Sequence, residues 1–429
     1  MLYFRKSDPQ RGNGVREGKI HMTRQVTRRM TRRMARQKMP PAVLALIALS
    51  FTLGACEYVA VAILPEIAQG LDVDLGAAGR LVGVFAAGYA VGTPIVTAAT
   101  GRVPRYRLLM VLLALFLAAN LFSMLAAGLW MLYLSRAVAA VLTGTLTAVM
   151  FLFVREVAPP EQSARAVSLV YAGMSLATVV GNPLNKLLCR YLGWRAAFGA
   201  IALLAAVLLA VLGWLLPHRT AQAEGGGFFR QFAVLGDAHY SLCVGMTVCC
   251  YAATYVVYTY LAPILTDVVG VAEQAVSPLL IAVGLCCVGS NLLAGWVGGH
   301  GGVRRTPWVL GAQAVLFAVM PALLKRPGVG LIAVFVMCLL MYMLSTPVQL
   351  YALELSAQKH PYAVNLCAST LSVAGNIGIA AGSFASSALQ GRLGLAALGW
   401  PAAAVALAGL LTNLALLRLR GGVPSAREN

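Results

Sequence analysis

Apolar runs close to twenty residues long, separated by short polar segments, dominate the chain. A helix rises about 1.5 Å per residue, so a run of about twenty crosses a hydrocarbon layer about 30 Å thick. Inside lipid every backbone polar group must be paired within the protein, which leaves helices as the reading for runs of this length. The pattern predicts twelve spans: 42–64, 79–99, 107–127, 130–154, 164–188, 196–216, 240–263, 278–298, 307–324, 329–351, 363–389 and 396–417. The longest interruption, 217–239, contains Glu224-Gly225-Gly226-Gly227 and predicts a flexible linker. The expected organisation is a disordered basic tail 1–41, a six-helix bundle 42–216, a linker 217–239, a second bundle 240–417 and a tail 418–429.

Composition agrees. Sixty per cent of the residues are apolar and 11% charged, against about 25% charged in a soluble domain. A soluble enzyme is excluded. The net charge of +19 would suggest nucleic acid in a soluble protein, but here its placement decides. With the N-terminus cytoplasmic, 25 of the 33 Lys and Arg fall on cytoplasmic segments and seven on the opposite side. The charge therefore reports topology, with both termini inside and no nucleic-acid partner.

Eight of the nine cysteines lie in apolar runs, without CxxC or Cys/His spacing, so neither a disulfide framework nor a metal site is expected. The five histidines lie at span edges or in tails. No GxxxxGK[ST] loop is present, and no cofactor is implied.

The two halves look duplicated. An offset of 200 residues places Gly101, Val103 and Arg105 on Gly301, Val303 and Arg305. An offset of 201 places Gly181, Leu188, Leu192 and Gly193 on Gly382, Leu389, Leu393 and Gly394. An offset of 198 places Val59 and Pro65 on Val257 and Pro263. Parallel repeats of this kind put a substrate site between the halves near the midplane.

Two charges lie deep in the spans: Glu57 in the first and Arg136 in the fourth. Such residues are costly in lipid and face a cavity or a partner. Glu57 lies about 12 Å from Pro65, and Arg136 about 9 Å from Trp130, at about 1.5 Å per residue. The two could share a level, facing one cavity as a pair or bridged by water, with Glu57 titrating and Arg136 modulating it; a purely structural pair is the alternative. Polar stripes at helical spacing run along spans one (Ser50, Gly54, Glu57), four (Arg136, Thr143, Thr147), seven (Tyr251, Tyr255, Tyr258) and ten (Tyr342, Ser345, Gln349). They predict a cavity whose lining candidates are Tyr58, Thr143, Tyr251, Tyr255, Tyr342 and Gln349. Packing between helices would also account for such stripes. Gly173, Gly181, Asn182 and Pro183 in span five predict either a hinge or close helix packing. The turn Gly101-Arg102-Val103-Pro104-Arg105-Tyr106-Arg107 reads as a basic anchor or a gating latch.

Over residues 42–417 the chain resembles a bacterial major facilitator transporter of the arabinose-efflux-permease-like branch of twelve-span drug:proton antiporters. The resemblance rests on Gly54-Ala55-Cys56-Glu57-Tyr58-Val59 through Ile63-Leu64-Pro65-Glu66-Ile67-Ala68, and on the Gly101–Arg107 turn, where Gly101 replaces the usual Asp. It rests also on Arg136 with Gly144, and on Gly173 through Gly181-Asn182-Pro183-Leu184 with Gly193-Trp194-Arg195-Ala196-Ala197-Phe198, where Asn185 replaces a usual glycine. The resemblance implies an all-α membrane fold of two pseudo-symmetric six-helix bundles and proton-coupled efflux of a small molecule such as a sugar, nucleoside or drug. Glu57 and Arg136 would couple protons, and Gly101, Arg102, Arg105, Gly173, Gly181, Asn182 and Pro183 would serve gating. It also implies a bacterial inner-membrane location; a monomer is expected. An uptake symporter or uniporter of the same fold, and a transport-dead sensor or scaffold, are the alternatives.

Overall fold

A computed structural model describes residues 39–100, 103–159, 162–218, 236–359 and 364–420. Both tails, most of the linker, and Gly101 and Arg102 of the basic turn lie outside these residues. Among the described residues the chain is helical throughout, without strands. The first six spans are α1 (Pro41–Ala62), α2 (Leu75–Ala99), α3 (Arg105–Met124), α4 (Leu129–Val157), α5 and α6 (Trp194–Leu215). Helix α5 runs as Ser163–Leu176, a π-helical turn Ala177–Gly181 and Asn182–Leu192. The second six are α7 (Ala238–Tyr258), α8 (Glu273–Gly299), α9 (Thr306–Leu323), α10 (Pro327–Leu340, continuing as Ser345–Lys359), α11 (Val364–Leu393) and α12 (Gly399–Arg420). Eleven of the twelve meet the length and apolarity of a membrane span. Helix α11, 30 residues long, carries Ser372, Asn376, Ser383, Ser386 and Ser387 along an otherwise small and apolar sequence.

Helix α2 starts four residues before the predicted 79, because Asp74 caps it by accepting the Ala77 N–H at 2.9 Å. Asp237 caps α7 by accepting the His239 N–H at 2.9 Å, and it also pairs with Lys359 at the end of α10. Burial acts to raise the Asp237 carboxyl. The Lys359 ammonium and the capped N–H groups outweigh that and hold it below the usual carboxylate range.

Span ten, read as one run, is broken between Leu340 and Ser345. There Ser290 of α8 accepts the Tyr342 N–H at 2.8 Å, and the Ser345 hydroxyl donates to the Tyr342 carbonyl at 2.7 Å. The Ser290 side chain takes the Tyr342 N–H, and the N–H groups of Met341, Met343 and Ser345 close tighter turns on the carbonyls three residues back, which sequence periodicity does not reveal.

In the first six, α1 packs on α4, α5 and α6, and α3 on α4 and α6. In the second, α7 packs on α11 and α12, and α8 on α10. The two bundles meet along α2–α11 and α5–α8. The repeat is visible in the backbone: Gly193 and Gly394, matched by the 201-residue offset, both turn the chain through left-handed conformations, φ 82° and 79°.

Candidate functional site

Twelve antiparallel passes bring both described ends, Met39 and Arg420, to one end of the molecule, here the terminal end; the other is the distal end. At the distal end the bundles close. The first turns of α2 approach α11 so closely that a Cβ on Gly76 would lie 2.8 Å from the Ser387 carbonyl, and one on Gly83 2.9 Å from the Phe384 ring. Tyr260 packs on Gly79 from across the interface and donates to Ser387 at 3.1 Å. Midway, Gly284 of α8 lies against the backbone of Thr178 and Val179 in the π-turn of α5. Toward the terminal end the bundles part, and Thr97, Tyr171 and Gln349 are exposed.

The space between them is a cavity of about 590 Å³, within the usual range of roughly 300–1,000 Å³ for small-molecule sites. Helices α1, α2, α4, α5, α7, α10 and α11 line it. Glu57 and Tyr58 enter from α1. The Tyr58 hydroxyl meets that of Tyr342 at 3.1 Å, a hydrogen bond from one bundle to the other. Tyr251 stands edge-to-face on Tyr342, with ring centroids 6.1 Å apart.

Of the residues expected to line a cavity, Tyr58, Tyr251, Tyr255, Tyr342 and Gln349 do so. Thr143 does not. It is fully buried and donates to the Ala139 carbonyl at 2.7 Å, while Thr147, one turn on, reaches the cavity. Tyr258 lies behind Tyr255, ring centroids 5.3 Å apart.

Arg136 does not face the cavity with Glu57. It is fully buried, with Nη2 donating to the Cys56 carbonyl at 2.6 Å and Nη1 to the Cys56 sulfur at 3.1 Å. The guanidinium stacks over Phe85 at 4.3 Å and lies 5.7 Å from the Phe198 ring. Arg136 therefore grips α1 at the residue next to Glu57, outside the cavity that Glu57 lines, and the two charges form no ion pair.

The other expected positions divide. Arg105 pairs with Glu156 at 3.7 Å, joining the start of α3 to the end of α4. Gly173 lets α5 approach α1, where a Cβ would lie 2.7 Å from the Ile47 carbonyl. Gly181 leaves room, the nearest atom to its Cβ being 3.4 Å away on Ala55. Asn182 and Pro183 follow the π-turn and are buried.

Sequence reading missed Tyr89, Thr93 and Thr97 on α2, Phe151 on α4, Tyr171 on α5, and Ser372 and Asn376 on α11. The four-residue spacing of Tyr89, Thr93 and Thr97 was a usable signal. A half-buried ion pair between Lys186 of α5 and Glu66 of the short helix Leu64–Gly70 was also not anticipated.

A helical membrane protein with a central cavity between two pseudo-symmetric bundles, closed at one end, is built as a carrier. Residues 46–375 match the model of the Major Facilitator Superfamily, and the chain belongs to that family, in the branch of AraJ. It is 28% identical to the MFS-type transporter YtbD of Bacillus subtilis (strain 168), over 84% of this chain and 91% of that one. It is 31% identical to a chloramphenicol resistance protein of Streptomyces lividans, over 79% and 86%. It is 26% identical to the putative transporter AraJ of Escherichia coli (strain K12), over 74% and 80%. Among solved structures, a bacterial homolog of the human lysosomal transporter Spinster superposes with a TM-score of 0.70 at 16% identity, covering 88% and 96% of the two chains. The chain is thus a multi-pass membrane transporter and not an enzyme.

Proposed function

We propose that the protein exports a small organic molecule across the bacterial inner membrane in exchange for protons, working as a monomer by alternating access. The observation that carries this reading is Glu57, the one carboxylate among the described cavity-lining residues, placed between the two bundles. A proton on Glu57 removes the cavity's charge and its departure restores it, so proton and substrate can alternate at one place. Arg136 binds the α1 backbone at the residue before Glu57. A change at Glu57 that turns or shifts α1 is therefore felt in α4. Bundles 42–216 and 240–417 rock against each other. The seam of α2 on α11 closes the distal end, Gly173 gives α5 its close packing on α1, and the π-turn ending at Gly181, with Asn182 and Pro183 after it, serves as its hinge.

The Lys and Arg distribution supports placing the terminal end, and with it both termini, in the cytoplasm. The cavity then opens inward and loads from the cytoplasm. The direction is supported by the chloramphenicol resistance protein and by a probable sugar efflux transporter of Pasteurella multocida (strain Pm70), 26% identical over 84% of this chain.

The test is flux in proteoliposomes with an imposed pH gradient, over a panel that includes chloramphenicol and a sugar. Wild type should move one of them opposite to protons. Glu57→Gln should lose at least tenfold of the proton-driven rate while keeping exchange of substrate for substrate at saturating substrate. Substrate moving with protons would make the chain a symporter, and full proton drive in Glu57→Gln would remove Glu57 from coupling.

A further inference from the structure

The cavity has a chemistry narrower than its class. Glu57 is its one charged residue among those described, and no Lys, Arg or His lines it. The nearest base, Arg136, turns its guanidinium onto Cys56 and Phe85 instead. The Glu57 carboxylate has no ion-pair partner among the described residues. A carboxylate in such a place requires a proton or a positive charge.

The walls supply faces that attract positive charge. Tyr58, Tyr89, Tyr251 and Tyr255 all lie within electrostatic reach of Glu57. Tyr58 and Tyr342 engage each other's hydroxyls, and both residues line the cavity. An aromatic face attracts a cation through its quadrupole. Three of the cavity's hydroxyls are turned back on their own helices, while that of Thr93 is buried without a partner among the described residues. Thr147 donates to the Thr143 carbonyl at 2.8 Å, Thr247 to that of Cys243 at 2.8 Å, and Ser345 to that of Tyr342 at 2.7 Å.

We infer that the cavity selects a monovalent organic cation with an apolar body, an amine or a quaternary onium compound, whose charge sits between the Glu57 carboxylate and the tyrosine faces. This rests on Glu57 as the proton carrier. When the cation enters, the carboxyl O–H bond breaks heterolytically. The electron pair stays on the carboxylate and the proton leaves to water. One proton departs per cation bound, so the cavity is neutral in both states and the exchange moves no net charge. The charged and titratable groups facing Glu57 are Tyr58 beside it, Tyr89 from α2, Arg136 from α4, and Tyr251 and Tyr255 from α7.

Tetraphenylphosphonium and tetraphenylborate share one shape and carry opposite charge. Binding of each to the full chain in lipid nanodiscs, corrected by empty nanodiscs, separates charge from bulk, with chloramphenicol as a neutral probe. The phosphonium should bind at least tenfold tighter than the borate, weaken as pH falls, and release a proton into weak buffer. Glu57→Gln should cut its affinity tenfold or more. Tyr251→Phe keeps the ring face and the affinity, whereas Tyr251→Leu should lose several-fold. Equal binding of both ions, or phosphonium binding that ignores pH and survives Glu57→Gln, overturns the inference. The pH dependence of wild type decides the matter even if a variant fails to fold. Proton-driven chloramphenicol flux without phosphonium binding overturns the cation alone; phosphonium binding without proton-driven flux overturns the efflux reading and leaves the cation standing.

Discussion

Arg136 is held by a group that any residue at position 56 would supply, a backbone carbonyl 2.6 Å from Nη2. The Cys56 sulfur accepts a second bond from Nη1 and donates to Asn120 at 3.5 Å. Serine offers the same pair of roles. Cys56→Ser should therefore shift stability by less than about 1 kcal/mol. Lysine cannot fork to two acceptors and stack flat on Phe85. Arg136→Lys should cost about 2 kcal/mol, the scale of a buried hydrogen bond to a charged group. Thermal unfolding in detergent measures both, and equal losses would mean that the sulfur, not the carbonyl, holds the arginine. The same residue marks a limit of sequence reading. Distance along a span gives depth, and depth singled out Glu57 and Arg136. It carries no information about the side of the helix on which a partner packs, so a cavity shared by the two did not follow. Thr143 failed for the same reason, since its neighbour Gly144 lines the cavity at the same depth while Thr143 itself is buried against its own helix.

At the scale of elements, apolar runs named the helices and caps moved their ends, but contacts between helices were set by residues with almost no side chain. Helix α11 is the clearest case. A Cβ on Gly378 would lie 2.5 Å from the Val248 carbonyl of α7, whereas one on Gly375 would meet the Tyr251 ring at an ordinary 3.5 Å. Alanine gains about 1 kcal/mol over glycine in a helix. Gly375→Ala should thus be neutral or stabilising. At Gly378 the backbone obstacle cannot swing aside, and Gly378→Ala should cost about 1–3 kcal/mol through overpacking. Unfolding of the two variants in one detergent gives the comparison, and equal effects would mean that α7 and α11 are not packed at backbone contact. The serines and asparagine of α11 were legible as polar, yet without aromatic spacing they did not signal a wall of the cavity. The break in α10 was hidden because the N–H it frees at Tyr342 is taken by Ser290, fifty-two residues earlier.

The whole molecule depends on two bundles that touch along α2–α11 and α5–α8 and part at the terminal end. The repeat offsets forecast two similar halves, and the shared turns at Gly193 and Gly394 bear that symmetry. Which end is closed did not follow from sequence, since spans of equal length fit both arrangements. It follows from the distal seam. Gly76 sits in the first turn of α2, where a Cβ would lie 2.8 Å from the Ser387 carbonyl of the opposite bundle. A leucine there also meets the Asp74 carboxylate of its own cap at 2.8 Å, in either arrangement, but the clash with the Ser387 carbonyl is relieved only if α11 moves away, so Gly76→Leu shifts the balance toward a distally open arrangement. A ligand or substitution shifts such an equilibrium by its differential free energy for the two states, and about 1.4 kcal/mol is tenfold in population. Spin labels at the distal ends of α2 and α11 should report a distance several ångströms longer in Gly76→Leu than in wild type. Gly311→Leu on α9 adds the same side chain where nothing lies within 4 Å, and it should leave that distance unchanged. If Gly76→Leu unfolds or leaves the labels where they were, the seam is fixed packing and the gate lies elsewhere. If the distance lengthens and proton-driven flux falls with it, closure of this glycine seam is a step of the transport cycle.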